Sequence, residues 1–135
     1  MNNDEVVGLF KGCDEANAFE EPHYFVIVHR IQDQASAEIS KRLDKLSTVS
    51  FKTLKLVATN LIFNEHYAMT FVGDLPGRTE ALDYAELFKT QLAVEKPFST
   101  LNFHNFVITK DNFNIFYRNK ALDEYLSFFD RYYKK

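Results

Sequence analysis

Four histidines carry the most versatile chemistry in this chain, and their spacing limits it. His23 and His29 bracket one apolar run, Tyr24-Phe25-Val26-Ile27-Val28. In an extended strand they share a face but lie roughly 20 Å apart at about 3.3 Å per residue, too far to bind one metal ion together. His66 falls in a polar turn and His104 begins a strand, so rim or solvent-facing positions are expected for all four. Cys13 is the single cysteine, which excludes an internal disulfide and a cysteine metal cluster. Gly73 and Gly77 lack the following Lys-Ser/Thr of a phosphate loop, and the serines and threonines form no nucleophile elbow. Asp111 and Asp123 sit near helix starts, where carboxylates favour the dipole. Lys41, Arg42 and Lys45 read as a solvated helix face. The expectation is a chain with no catalytic residue, no cofactor and no metal site, hence not an enzyme.

Charge narrows the partners. The formal net charge is −3, unevenly placed: residues 1–22 hold six acids against one base, and the rest holds 13 acids against 15 bases. Neither part has the basic footprint of a nucleic-acid binder, so no nucleic acid is expected. No apolar run approaches the roughly 20 residues of a membrane span. The first residues also lack the basic, apolar and small-residue succession of an export signal. On the residues alone the chain is either cytoplasmic or a domain excised from a longer exported protein.

The elements that must position these side chains follow from periodicity. Residues 1–20 read as a flexible acidic lead-in, and residues 21–135 as one domain with an aromatic-rich core of 14 Phe and seven Tyr. A strand at 23–30, apolar on both faces, is expected at the centre of a sheet. Ile39, Leu43 and Leu46 form one stripe of a helix over 34–47, with Asp33 as N-cap. Strands at 54–63 and 67–72 flank a hairpin in which Asn64 supplies a left-handed turn residue, and Gly73-Asp74-Leu75-Pro76-Gly77 breaks the third strand. Ala81, Tyr84, Ala85, Phe88 and Leu92 mark a helix over 78–93. A fourth strand covers 103–109, a short helix capped by Thr109 ends at Asn119, and a terminal helix over 121–133 presents Leu122, Tyr125, Leu126, Phe129 and Tyr133. Right-handed crossovers give an α+β, ferredoxin-like βαββαβ sheet of order 4-1-3-2, with additional C-terminal helices. The expected core includes Phe25, Ile27, Val28, Ile39, Leu43, Met69, Phe71, Tyr84, Phe88, Val107, Leu126 and Phe129.

A family likeness rests on residues in order across 23–133. These are Pro22-His23-Tyr24-Phe25-Val26-Ile27-Val28, Ser50-Phe51 before Leu54-Lys55-Leu56, Phe63-Asn64, Val72-Gly73-Asp74-Leu75 and Ala81-Leu82-Asp83-Tyr84. The end adds Phe106-Val107-Ile108-Thr109, Asn112-Phe113, Phe116-Tyr117, Tyr125-Leu126-Ser127-Phe128-Phe129 and Tyr132. The pattern resembles the C-terminal domain of the tetratricopeptide-repeat lipoproteins linked to gliding motility and type IX secretion in Bacteroidetes. Leu75 stands where that family more often has Phe, and this chain contains neither the helical repeats nor an export signal. The resemblance implies a non-enzymatic protein-interaction and assembly role in the cell envelope, with a periplasmic, outer-membrane-associated parent. The βαββαβ part is also similar to sporulation-related repeat domains, which bind peptidoglycan. A small ferredoxin-like ligand sensor or enzyme is the third reading, because fold does not fix function.

Both faces of the first and third strands are apolar, and leaving either in water would expose a large apolar patch. The C-terminal segment is therefore expected to cover the second face. Phe128 and Tyr132, offset from the core stripe of the terminal helix, are then the candidate partner-binding residues. The expected partner is a protein or the parent's own helical repeats, with peptidoglycan the alternative and a homo-oligomer also open.

Overall fold

The structure, a computed structural model, describes Phe10 and residues 21–133. The expected lead-in over 1–20, Phe10 apart, lies outside the described residues, as do Cys13 and the last two lysines. Four strands, β1 (His23–Arg30), β2 (Val57–Ile62), β3 (Tyr67–Leu75) and β4 (Phe103–Thr109), form one antiparallel sheet in the order β2-β3-β1-β4. This is the ferredoxin-like order expected from the sequence. The helices are α1 (Ser36–Ser50), α2 (Arg78–Leu87), α3 (Lys110–Asn119) and α4 (Leu122–Tyr132). Helix α2 runs on into a wider π turn at Phe88–Leu92, where the Ala93 N–H donates to the Phe88 carbonyl.

Successive residues of β1 point to opposite faces. Phe25 turns to the face covered by α1 and α2, packing on Tyr84 and Phe88 at centroid distances of 5.3 and 5.2 Å. Tyr24 turns to the other face and meets Phe113 edge-on at 4.9 Å. That second face is closed by α3 and α4, as expected. Phe106 there touches Phe116 and Tyr125, and Phe63 stacks on Phe116 at 4.9 Å. The helix start at Thr109 is also as expected: its hydroxyl accepts from the Asn112 N–H at 3.1 Å.

Several expectations are corrected. Asp33 does not cap α1: Ile31–Asp33 form a 3-10 turn and Gln34 takes a left-handed conformation (φ 51°), so the helix begins only at Ser36. A second 3-10 turn at Lys52–Leu54 delays β2 to Val57. Asn64 acts through its side chain, whose Oδ1 accepts from the His66 and Tyr67 N–H groups at 2.8 Å each, and not through a positive φ.

The third strand runs past its expected end at Val72, and the break expected over residues 73–77 comes only at Pro76. β3 continues to Leu75, which is buried and pairs with His23 across a register shift in which β3 carries one extra residue, with Gly73 and Asp74 opposite Tyr24. Gly73 serves close approach here, since a Cβ at that position would overlap the Tyr24 ring. In the expected core, Phe71 and Leu126 are only half-buried.

Candidate functional site

The buried histidines come first, because their placement reverses an expectation. His23 and His29 are almost wholly buried rather than rim residues, since the odd positions of β1 face α1 and α2. Nδ1 of His23 lies 2.7 Å from the Glu21 carbonyl, an acceptor, so Nδ1 carries the proton and Nε2 accepts from the Tyr133 hydroxyl at 3.0 Å. His29 repeats the arrangement: Nδ1 donates to the Arg30 carbonyl and Nε2 accepts from Ser36 Oγ at the first turn of α1. Burial lowers both imidazole pKa values below the ordinary 6.5, against an opposing backbone hydrogen bond in each case. Both rings are thus neutral clamps. One ties the end of α4 to β1, and the other ties the start of α1 to β1. His66 and His104 are exposed, as expected. No group of three or more His, Cys, Asp or Glu able to hold a metal occurs among the described residues.

The other buried polar side chains are also spent on the fold. The Tyr84 hydroxyl donates to the Leu43 carbonyl at 3.1 Å and accepts from Ser47 at 2.7 Å. Its burial in α2 raises its pKa above the ordinary phenol value, despite the opposing hydrogen bond from Ser47. The Tyr125 hydroxyl donates to the Val107 carbonyl at 2.6 Å. Arg78, at the start of α2, lies over the Tyr133 ring at 5.0 Å and donates to the Tyr132 carbonyl.

Two surface features stand out among the described residues. A groove of about 470 Å³ runs between the C-terminal half of α1 and the turn after α2. Leu46 and Leu92 line it with Val49 and Val94, two of the exposed large apolar side chains. Arg42 stands at the groove in ion pairs with Glu38 and Glu95, both partly solvated; exposed pairs of this kind stabilise by about 0–1 kcal/mol.

The second feature lies at the outer edge of β4. Helix α4 crosses that edge obliquely: Tyr125 packs on Phe106 on the second face, while Tyr133 reaches Arg78 and His23. Among the described residues, nothing covers the Phe103–Asn105 end of the strand, which lies between two hollows. One, of about 420 Å³, is walled by Leu82, Ala85 and Phe88. The other, of about 270 Å³, is walled by Leu126 and Asp130, and Phe129 borders both.

The expected partner residues fare differently. Phe128 is not exposed: only 1% of its surface is accessible, with its ring 5.5 Å from Phe10 and 5.5 Å from Tyr125. The terminal helix is rotated from its expected stripe because Phe10, distant in sequence, fills the side where solvent was expected. Leu126 consequently turns outward to the β4-edge hollow. Tyr132 is half-buried against Phe128 at 4.8 Å. The two therefore do not form an exposed aromatic pair.

Asn105 was the one legible sign of the β4 edge, a polar residue between Phe103 and Val107 on the same side of the strand. Comparison with family models, with curated proteins and with solved structures gives no match to this chain. No helix among the described residues is long and apolar enough to cross a membrane.

Proposed function

We propose that this chain is a non-enzymatic protein-interaction domain, of the assembly type found in envelope tetratricopeptide-repeat proteins of gliding motility and type IX secretion. The observation that carries the reading is the closure of the second sheet face by α3 and α4 through Phe106, Phe116 and Tyr125. An open sheet face is what the peptidoglycan-binding alternative would use, and here it is occupied by the chain itself. The buried hydroxyls and imidazoles described above engage backbone and one another. The surface features are instead partly apolar hollows beside helices, suited to side chains of a protein partner. A periplasmic, outer-membrane-associated setting belongs to the same proposal.

Pelleting with purified peptidoglycan tests the choice between the two binding functions. The protein should stay in the supernatant. Saturable co-sedimentation would overturn the assembly reading in favour of the glycan binder.

A further inference from the structure

The two edges of the sheet are finished differently. In an antiparallel ladder, alternate residues of an edge strand turn their N–H and C=O groups outward. On β2 these are Ala58, Asn60 and Ile62; side chains plug the Ala58 N–H and the Ile62 carbonyl at the two ends, and the outward groups of Asn60 between them have no partner among the described residues. Asp44 of α1 accepts from the Ala58 N–H at 3.0 Å, and the Tyr117 hydroxyl of α3 donates to the Ile62 carbonyl at 3.0 Å. Such plugs are a standard guard against strand addition.

On β4 the outward residues are Phe103, Asn105 and Val107. Two contacts fix that phase: the Val107 carbonyl accepts from Tyr125, and the Lys110 N–H, of the inward set, donates to the Pro22 carbonyl. Among the described residues only the Val107 end is plugged. The outward backbone groups of Phe103 and Asn105 have no partner among the described residues, and they lie between the two hollows.

We propose that the Phe103–Asn105 edge of β4 accepts an extended segment of a partner protein as a fifth strand. The occupant's backbone conformation is dictated by the two outward-facing residues, which offer donors and acceptors at the spacing of a β ladder. Its side chains would alternate between the hollows. The α2 side, where Glu86 and Lys89 also line the hollow, takes an apolar side chain on Leu82, Ala85 and Phe88. The α4 side, with His104, Asn105 and Asp130 around it, takes a polar one. The partner segment is therefore an extended peptide of alternating apolar and polar residues. A second copy of this chain fits less well, because α2 and α4 flank the edge and would meet the same helices of the other copy. The inference rests on the protein-interaction reading and assigns it a place.

The test is photo-crosslinking of the full-length protein in cells of its source organism. Benzoylphenylalanine replaces Glu86 beside the β4 edge, Val94 in the α1 groove or Thr59 on β2, with and without Asn105→Pro. Proline removes the outward N–H of Asn105 but no ladder bond to β1, and it should cut the Glu86-position adduct by about tenfold. Lys89→Trp, which fills the mouth of the apolar hollow, should do the same without touching the backbone. A discrete protein adduct at 86, absent at 59 and lost in both variants, is the expected result. Adducts at 94 alone, or an 86 adduct indifferent to both variants, would overturn the edge site while leaving the interaction reading intact. An adduct of twice the chain mass would make the occupant a second copy and overturn the partner proposed here. Absence of protein adducts at all three positions would overturn the edge site and the interaction reading together.

Discussion

Rings pack on both faces of the sheet, but under α1 and α2 they are joined by hydrogen bonds between the two helices, whereas under α3 and α4 the centre of the sheet meets rings alone. On the first face Tyr84 of α2 reaches Leu43 and Ser47 of α1, and Ser40 accepts from Asn60, which in turn accepts from Thr70. On the second face the contacts between helices and sheet centre are aromatic: Tyr24, Phe71 and Phe113 form one group, and Phe106, Phe116 and Tyr125 another. The polar contacts of α3 and α4 lie at the margins, where Tyr117 and Tyr125 cap β2 and β4. The first cover is thus keyed by buried polar groups to one arrangement. The second is held by area and shape, and it also decides how much of each sheet edge stays open.

Truncation of one large ring on each face should give the largest effects. Phe88→Ala on the first face and Phe106→Ala on the second should each destabilise by about 3–5 kcal/mol, transfer loss plus cavity. Urea midpoints check this, and a cost near zero for Phe106→Ala would mean that the second cover is not part of the cooperative core.

Gly73→Ala sharpens the same contrast, because it drives a methyl into the Tyr24 ring of the second face. An overpacking cost of about 1–3 kcal/mol is expected. It should shrink in a Tyr24→Ala background, so a double-mutant cycle without coupling would contradict the close approach.

Removing single hydroxyls compares the polar anchors directly. Tyr84→Phe leaves the Leu43 carbonyl and Ser47 hydroxyl without that partner in a buried site, for about 1–3 kcal/mol. Tyr125→Phe leaves the Val107 carbonyl without that partner, also in a buried site, and should likewise cost about 1–3 kcal/mol. A cost near zero for either variant in thermal or urea unfolding would show that its hydroxyl does not anchor the cover it belongs to.

Acid should loosen both covers through the clamps. The folded-state pKa values of His23 and His29 are lowered, so the unfolded chain binds protons first as pH falls below the ordinary 6.5. Stability is fully present above that value and declines below it until the folded rings also protonate. Urea midpoints taken from about pH 7.5 down to about pH 5.5 should fall, and more gently in His29→Gln. A flat profile in the parent protein would show that neither ring is held neutral.

Much of this organisation was legible because strand and helix periods differ. The run from Tyr24 to Val28 announced a strand buried on both faces, and apolar Phe113 and Phe116 announced something to cover it. Thr109 before Asn112 announced the cap. Gly73-Asp74-Leu75 misled because glycine, read locally, marks a turn, while here it makes room for a ring from the neighbouring strand. The terminal helix misled for a related reason. With Tyr125, Leu126, Phe128, Phe129 and Tyr132 apolar around most of its circumference, periodicity alone does not choose which side is buried. Phe10 makes that choice from more than a hundred residues away. The open edge of β4 was legible least, since it depends on where α4 crosses the strand.

Native-state hydrogen exchange tests most directly the claim that the chain closes its own second sheet face. Amides in the middle of α4, between Tyr125 and Phe129, should open only with global unfolding, at the same free energy as those of Val26 in β1 and Phe106 in β4. The Asn105 amide, facing outward, should exchange quickly in the free protein. If the α4 amides exchange through a sub-global opening well below the free energy of the sheet, the cover is a lid and not a wall. The second face would then be available to a ligand after all, contradicting the account.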